Sequence, residues 1–169
     1  MDLVVNISRR GAVASLLFCI AASTLAAIDI DEPAPHFVVK TLDGERLTNE
    51  SLKGKVVLLD FWATWCPPCK HDEPAVESIL REFGKDGLVV LSVNMGEPRR
   101  KVKKYLEQSP RSSKIVLAED TTLAAICEAK VYPYYVVIDR EGNVAGIQRG
   151  AGGEGALLRL LAKAGLESS

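Results

Sequence analysis

Histidine and cysteine are both scarce in this chain of 169 residues, at 2 and 4 respectively. His36 and His71 stand far apart, and no second pair of close cysteines accompanies them, so a four-ligand zinc site is not assembled. The cysteines are too few and too unevenly spaced for a small scaffold stapled by several disulfides. An excess of either charge is also missing. With 21 basic and 22 acidic residues the net charge is −1, which speaks against a general nucleic-acid binder. A hydrophobic share of 47% and a charged share of 25% exclude both a disordered chain and a multi-span membrane protein. Internal repeats, low-complexity tracts and interdomain linkers are absent, and the length suits one compact domain.

What is present begins with an address. Arg9 and Arg10 precede an uncharged run from Gly11 to Ile28, apolar from Ala12 to Ala22 and small-residued through Ala27. Basic start, short apolar centre and small-residue exit describe a secretory signal peptide over residues 1–27, cleaved after Ala26 or Ala27. The rival reading is a retained membrane anchor, although alanine and serine make it a weak span. Neither a twin-arginine continuation at Ala12-Val13 nor a lipid attachment at Cys19, which follows the bulky Phe18, fits well. The remaining domain, residues 28–169, is expected outside the cytoplasm, is mildly acidic, and keeps Cys66, Cys69 and Cys127.

Asp43-Gly44 marks a turn between two short extended stretches, so a small hairpin opens the domain. Val56 to Trp62 is a branched apolar run of strand length, the best candidate for a strand buried on both faces. From Pro67 to Phe83, Ala75, Val76, Ile79, Leu80 and Phe83 recur at helical spacing, and Gly84 ends the helix. Leu88 to Asn94 is a second buried strand, and a strand-helix-strand unit favours a parallel pair. A helix starting at Pro98 turns Val102, Tyr105 and Leu106 inward and Arg99, Arg100, Lys103 and Lys104 outward. After it come a polar loop over residues 108–114, a short strand at 115–117 and a short helix at 121–128. A closing hairpin over 134–139 and 144–149 and a last helix from Glu154 to about Ala164 complete an α/β pattern.

Cys66-Pro67-Pro68-Cys69 falls where the first buried strand meets its helix. A helix N-terminus carries unpaired N–H groups and a partial positive charge, which stabilise a thiolate at Cys66. Pro67 suits the first helical turn because its missing N–H would be unpaired anyway. Helical geometry sets the sulfurs side by side, with Cys66 at the exposed cap as attacking thiol and Cys69 shielded one turn inside as resolving thiol. A purely structural disulfide would close only a four-residue loop and stabilise little. A redox-active pair is the better reading of CxxC beside a strand-helix-strand unit.

The stretch from Val57 to Lys70, with Pro74 five residues past Cys69, resembles thioredoxin-like proteins of the exported TlpA/ResA type. The resemblance spans about residues 33–166. It implies a thioredoxin-like fold: a central mixed sheet flanked by helices, with an N-terminal hairpin and a central helical insertion. It also implies thiol-disulfide oxidoreductase activity with no cofactor beyond the cysteine pair and no metal. Implied partners are a disulfide-bearing protein substrate and an upstream redox protein. The reducing direction is favoured, toward apocytochrome c or copper-site cysteines. A disulfide-forming oxidant is the nearest rival, and a non-catalytic metal- or peptide-binding module the alternative from another class.

By the same resemblance Pro133 is the cis proline facing the cysteines, and the backbone of Tyr132 pairs with substrate chain. Trp65 and Pro67 border the same surface, and Tyr132 with Tyr134 either stack on a peptide or serve as ordinary strand aromatics. Asp60, on the buried strand, would take the proton from Cys69 during resolution, as in thioredoxin. Burial is expected to raise its pKa. The basic partner that thioredoxin places on the next strand is replaced by Ser92. Asp72 stands where the family has an acidic residue and is left open, whereas Glu73 reads as helix solvation.

Gly150 to Gly155 matches GxGxxG but lacks the following strand and acidic residue, so it is a flexible hairpin-to-helix turn. The basic face from Arg99 to Lys104 is read as solvated rather than as a dock for an acidic partner or lipid. Cys127 is a small core residue. Ala63 stands where a peroxiredoxin-like site needs threonine, so that chemistry is not supported.

Overall fold

The computed structural model describes residues 28–167. The signal segment predicted at 1–27 lies outside them. In chain order the elements are β1 (Val38–Thr41), β2 (Arg46–Thr48), a 3-10 turn (Glu50–Leu52), β3 (Val56–Trp62), α1 (Pro67–Phe83) and β4 (Leu88–Asn94). Then follow α2 (Arg99–Gln108), β5 (Lys114–Thr121), α3 (Leu123–Ile126), β6 (Tyr134–Ile138), β7 (Val144–Arg149) and α4 (Gly153–Ala162). The strands form one 7-stranded sheet in the order β2-β1-β5-β4-β3-β6-β7. Only the β3–β4 and β4–β5 pairs are parallel, so the sheet is mixed, as expected.

β3 owes its central place to composition. All of its seven residues are buried, which only a strand covered on both faces can satisfy. Strand alternation sends Val57, Leu59 and Phe61 into one core with Leu91, Val93, Leu123 and Val136. Val56 and Leu58 go into the other, beneath Val76, Ile79 and Phe83 of α1 and Leu157 and Leu161 of α4. A third cluster forms at the far end of β3, where Trp62, Ala63 and both active-pair cysteines meet Val102, Ile115 and Leu117. This cluster positions the site.

The structure revises the expected elements in three places. The helix expected over 121–128 is shortened to Leu123–Ile126, because β5 extends through Thr121. The strand expected over three residues runs from Lys114 to Thr121, because β1 pairs with its free edge and supports a longer ladder. The opening hairpin is therefore an edge of the main sheet. Gly84 does end α1, yet in a right-handed conformation (φ −58°), and the chain reverses at Gly87, whose φ of 95° suits glycine.

Candidate active site

Cys66 is the N-cap of α1, with extended backbone, and its Sγ accepts the backbone N–H of Cys69 at 3.2 Å. The two sulfurs are joined as a disulfide. Pro67 occupies the first helical position. The expected contrast in exposure is not found: Cys66 is 2% exposed and Cys69 3%. Cys66 is covered because the cap packs into the Trp62 cluster, with Tyr132 against it. What separates the two cysteines is the cap position and its N–H contact, not solvent.

The rim around the pair is apolar. Trp65 and Pro67 are exposed, and the Trp65 ring meets Tyr132 edge-on at 6.1 Å. The Tyr132–Pro133 peptide bond is cis. Tyr134, considered above as a stacking partner, points the other way: it is 2% exposed and packs 5.8 Å from Phe61. Strand alternation explains this, since β6 begins at Tyr134 and turns it into the core.

Asp60 lies in a polar row written across the sheet. Register sets it opposite Ser92 on β4 and Tyr135 on β6, all under α1. Ser92 Oγ donates to Asp60 Oδ2 at 2.9 Å and meets Ser113 Oγ at 2.8 Å. Burial pushes the Asp60 carboxyl above the usual aspartate range, with the nearby Arg111 and the Ser92 hydroxyl pulling back and Glu73 and Asp72 adding to the rise.

Arg111 overturns two sequence expectations. It rises from the loop between α2 and β5, lays its guanidinium 3.7 Å from the centre of the Trp62 ring, and its side chain is only 3% exposed. Nη1 donates to Asp60 at 3.3 Å and Nη2 to Glu73 at 3.1 Å. The cation missing from the next strand therefore arrives from a loop, and Glu73 holds it rather than solvating the helix. The loop is fastened to α1 a second time by the Ser112 N–H on Glu77. Cys69, Glu73 and Glu77, four residues apart, form one line along α1.

Two more carboxylates build the frame. Asp72 is 1% exposed; its oxygens accept the N–H groups of Gly152 and Gly153 at 3.0 and 3.1 Å and the Tyr135 hydroxyl at 3.4 Å. The glycine run is the expected turn from hairpin to helix, with Gly153 opening α4, and Asp72 holds it to α1 as an internal anion. Glu97 is a further buried carboxylate that no sequence motif marks. It accepts the Thr64 N–H and hydroxyl, both at 2.6 Å, with Asn94 at 2.8 Å and Lys101 at 2.7 Å. Burial works to raise its pKa, but these donors outweigh it and bring it down to about 2. Its signal in the sequence was Glu97 four residues before Lys101 at a helix start; nothing local announced the link to Thr64.

Among the described residues no group of three or more His, Cys, Asp or Glu is placed to hold a metal, and no helix is long and apolar enough to cross a membrane. Cys127 is unpaired and 1% exposed, and burial pushes its thiol up to about 12.

A helix-capping disulfide at the end of the central strand of this mixed sheet defines a thioredoxin-like thiol-disulfide oxidoreductase. The chain belongs to the AhpC/TSA family, whose sequence profile matches residues 30–147. It is 32% identical over 124 residues to a thiol-disulfide oxidoreductase ResA of Geobacillus thermodenitrificans, covering 73% of this chain and 71% of that one. A ResA of Halalkalibacterium halodurans is 29% identical over 119 residues, 70% of this chain and 68% of the other. Among solved structures, a thiol:disulfide interchange protein DsbE from Chlorobium tepidum superposes with a TM-score of 0.71 at 27% identity, over 82% of this chain and 99% of its own.

Proposed function

We propose that this oxidoreductase works outside the cytoplasm as a monomeric reductant of disulfides in exported proteins, such as apocytochrome c or copper-site cysteines. Residues 1–27 act as its signal or anchor, and residues 28–169 as its single domain. The observation that carries the reading is the Cys66–Cys69 disulfide at the N-cap of α1. In the reduced protein the Cys66 thiolate attacks a substrate disulfide, forming a mixed disulfide and releasing one substrate thiolate. Asp60 takes the proton of Cys69, whose thiolate attacks Cys66 sulfur. The second substrate thiolate leaves, and the pair ends oxidised. An upstream dithiol protein returns the two electrons. Trp65, Pro67, Tyr132 and Pro133 receive the substrate chain.

The reducing direction is supported by the surroundings of the pair. Cys66 Sγ has one N–H donor, while the buried Asp72 carboxylate has no lysine or arginine beside it and Arg111 is shared between Asp60 and Glu73, which leaves an excess of carboxylates along and beneath α1. Acidic neighbours disfavour a thiolate and so destabilise the dithiol form relative to the disulfide. Two measurements test the reading. Equilibration with glutathione should give a potential near that of thioredoxin, about −270 mV; one near about −120 mV would indicate an oxidant. A Cys69→Ala protein expressed in its own cell should retain exported proteins disulfide-linked to Cys66. No captured protein, together with tight zinc or copper binding, would mean a binding module instead.

A further inference from the structure

The trio of Asp60, Arg111 and Glu73 does not balance. One guanidinium, with its side chain 3% exposed, faces two carboxylates: Asp60, also 3% exposed, and Glu73, 16% exposed. With Asp60 protonated the trio is neutral. With Asp60 ionised it carries an excess negative charge beneath the helix that bears Cys69. Buried charge without a partner is costly, so the two carboxylates compete for one cation. Glu73 is the nearer to solvent and the closer contact, 3.1 Å against 3.3 Å, and its Oε2 also receives the Tyr105 hydroxyl at 3.4 Å.

We propose that Arg111 is a positioning residue that sets how tightly Asp60 holds its proton, and that Glu73 opposes it by drawing the guanidinium away. This deepens the function proposed above and its kinetic consequence rests on Asp60 being the base for Cys69. Other groups facing Asp60 are Ser92 on β4, Tyr135 on β6 and Asp72 on α1; Lys70 sits over the Tyr105 ring, 5.5 Å from its centre. None of these carries a positive charge to Asp60. Arg111 is therefore the cation that decides its charge state, and stacking on Trp62 holds the guanidinium in place.

The two residues make opposite predictions, which a merely structural role would not. Carbon NMR of the Asp60 carboxyl in the oxidised protein reads the titration directly. Glu73→Gln frees the guanidinium and removes a like charge, so the midpoint falls by about one pH unit; Arg111→Met raises it by about as much. Arg111→Lys, which keeps the charge but not the fork, should lie between wild type and Arg111→Met, and it keeps the test alive if Arg111→Met does not fold. Shifts in the same direction, or none, overturn the inference. Stopped-flow kinetics of mixed-disulfide resolution supply the second arm. Their pH midpoint should follow the carboxyl in each variant and lose its dependence on Arg111 and Glu73 when Asp60→Asn is added. If the carboxyl shifts as expected but the kinetics do not follow, Arg111 still sets the proton affinity, and it is the role of Asp60 as base that falls.

Discussion

At the scale of single residues, Asp60 separates a chemical effect from an energetic one. A folded-state pKa raised by burial means that the native protein binds this proton more tightly than the unfolded chain, whose aspartates titrate near about 3.9. Between that value and the raised one, native stability falls as pH increases. Asp60→Asn removes the titration. The variant should match wild type in strongly acid solution and gain on it toward neutrality, so a difference in Tm that fails to widen with pH would count against the assignment. The same substitution should slow resolution of the mixed disulfide by about 100-fold near neutral pH, the ordinary scale of a lost general base. Unchanged turnover kinetics would remove Asp60 from the mechanism. Cys127 makes a contrasting case: buried among Leu123, Ile126 and Tyr134 and pushed up to about 12, it has almost no thiolate at neutral pH. Alkylation of the native dithiol protein, read by mass spectrometry, should label Cys66 and leave Cys127 unmodified until the chain unfolds.

At the scale of elements, α1 works as a fixed platform whose own carboxylates tie it to two neighbours, Asp72 to the start of α4 and Glu73 with Glu77 to the loop before β5. Asp72 holds the first N–H groups of α4, which would otherwise be unpaired. Asp72→Ala strands Gly152, Gly153 and the Tyr135 hydroxyl, and we expect a loss of about 2 kcal/mol, with faster hydrogen exchange confined to the first turn of α4. Exchange spread evenly through the sheet would mean that Asp72 serves the core and not the helix junction. Glu97 has the opposite pH signature to Asp60. Its pKa, lowered to about 2, gives stability that is present above the unfolded glutamate value of about 4.3 and lost as pH falls toward about 2. The elements themselves were largely legible: β3, α1 and β4 have the bounds that the apolar run, the helical spacing and the second run define. The ties were not, because Asp72 to Gly152, Thr64 to Glu97 and Asp60 to Arg111 join residues far apart in sequence. Local pattern marks which residue types recur; it carries no signal for which distant loop returns to a given carboxylate. Arg111 illustrates the limit, since a basic residue in a polar loop reads as solvated until the loop is seen folded over Trp62.

At the scale of the whole molecule, the exposed apolar surface is unevenly placed. Among the described residues the large hydrophobic side chains left exposed are Ile30, Trp65 and Val131, and two of the three flank the cysteine cluster in sequence, Trp65 beside Cys66 and Val131 beside Tyr132, whose ring Trp65 meets. Cys66 itself is 2% exposed, so on the function proposed above a substrate disulfide would meet these side chains before it meets sulfur. A rim of this kind favours an extended, unfolded protein segment over a small disulfide, because only a chain can cover Trp65, Tyr132 and Val131 together. Removing part of that apolar contact while leaving the cap intact should weaken binding without touching the chemistry. Val131→Ser and Trp65→Ser should each raise KM for a protein disulfide by about tenfold, the equivalent of about 1.4 kcal/mol, with kcat close to wild type. A small aromatic disulfide, which reaches the sulfur without covering the rim, should be reduced with a KM that changes much less. If kcat falls instead and KM stays level for both substrates, Trp65 and Val131 hold the cysteine turn in shape rather than receive the substrate, and the docking surface must be sought elsewhere on the fold.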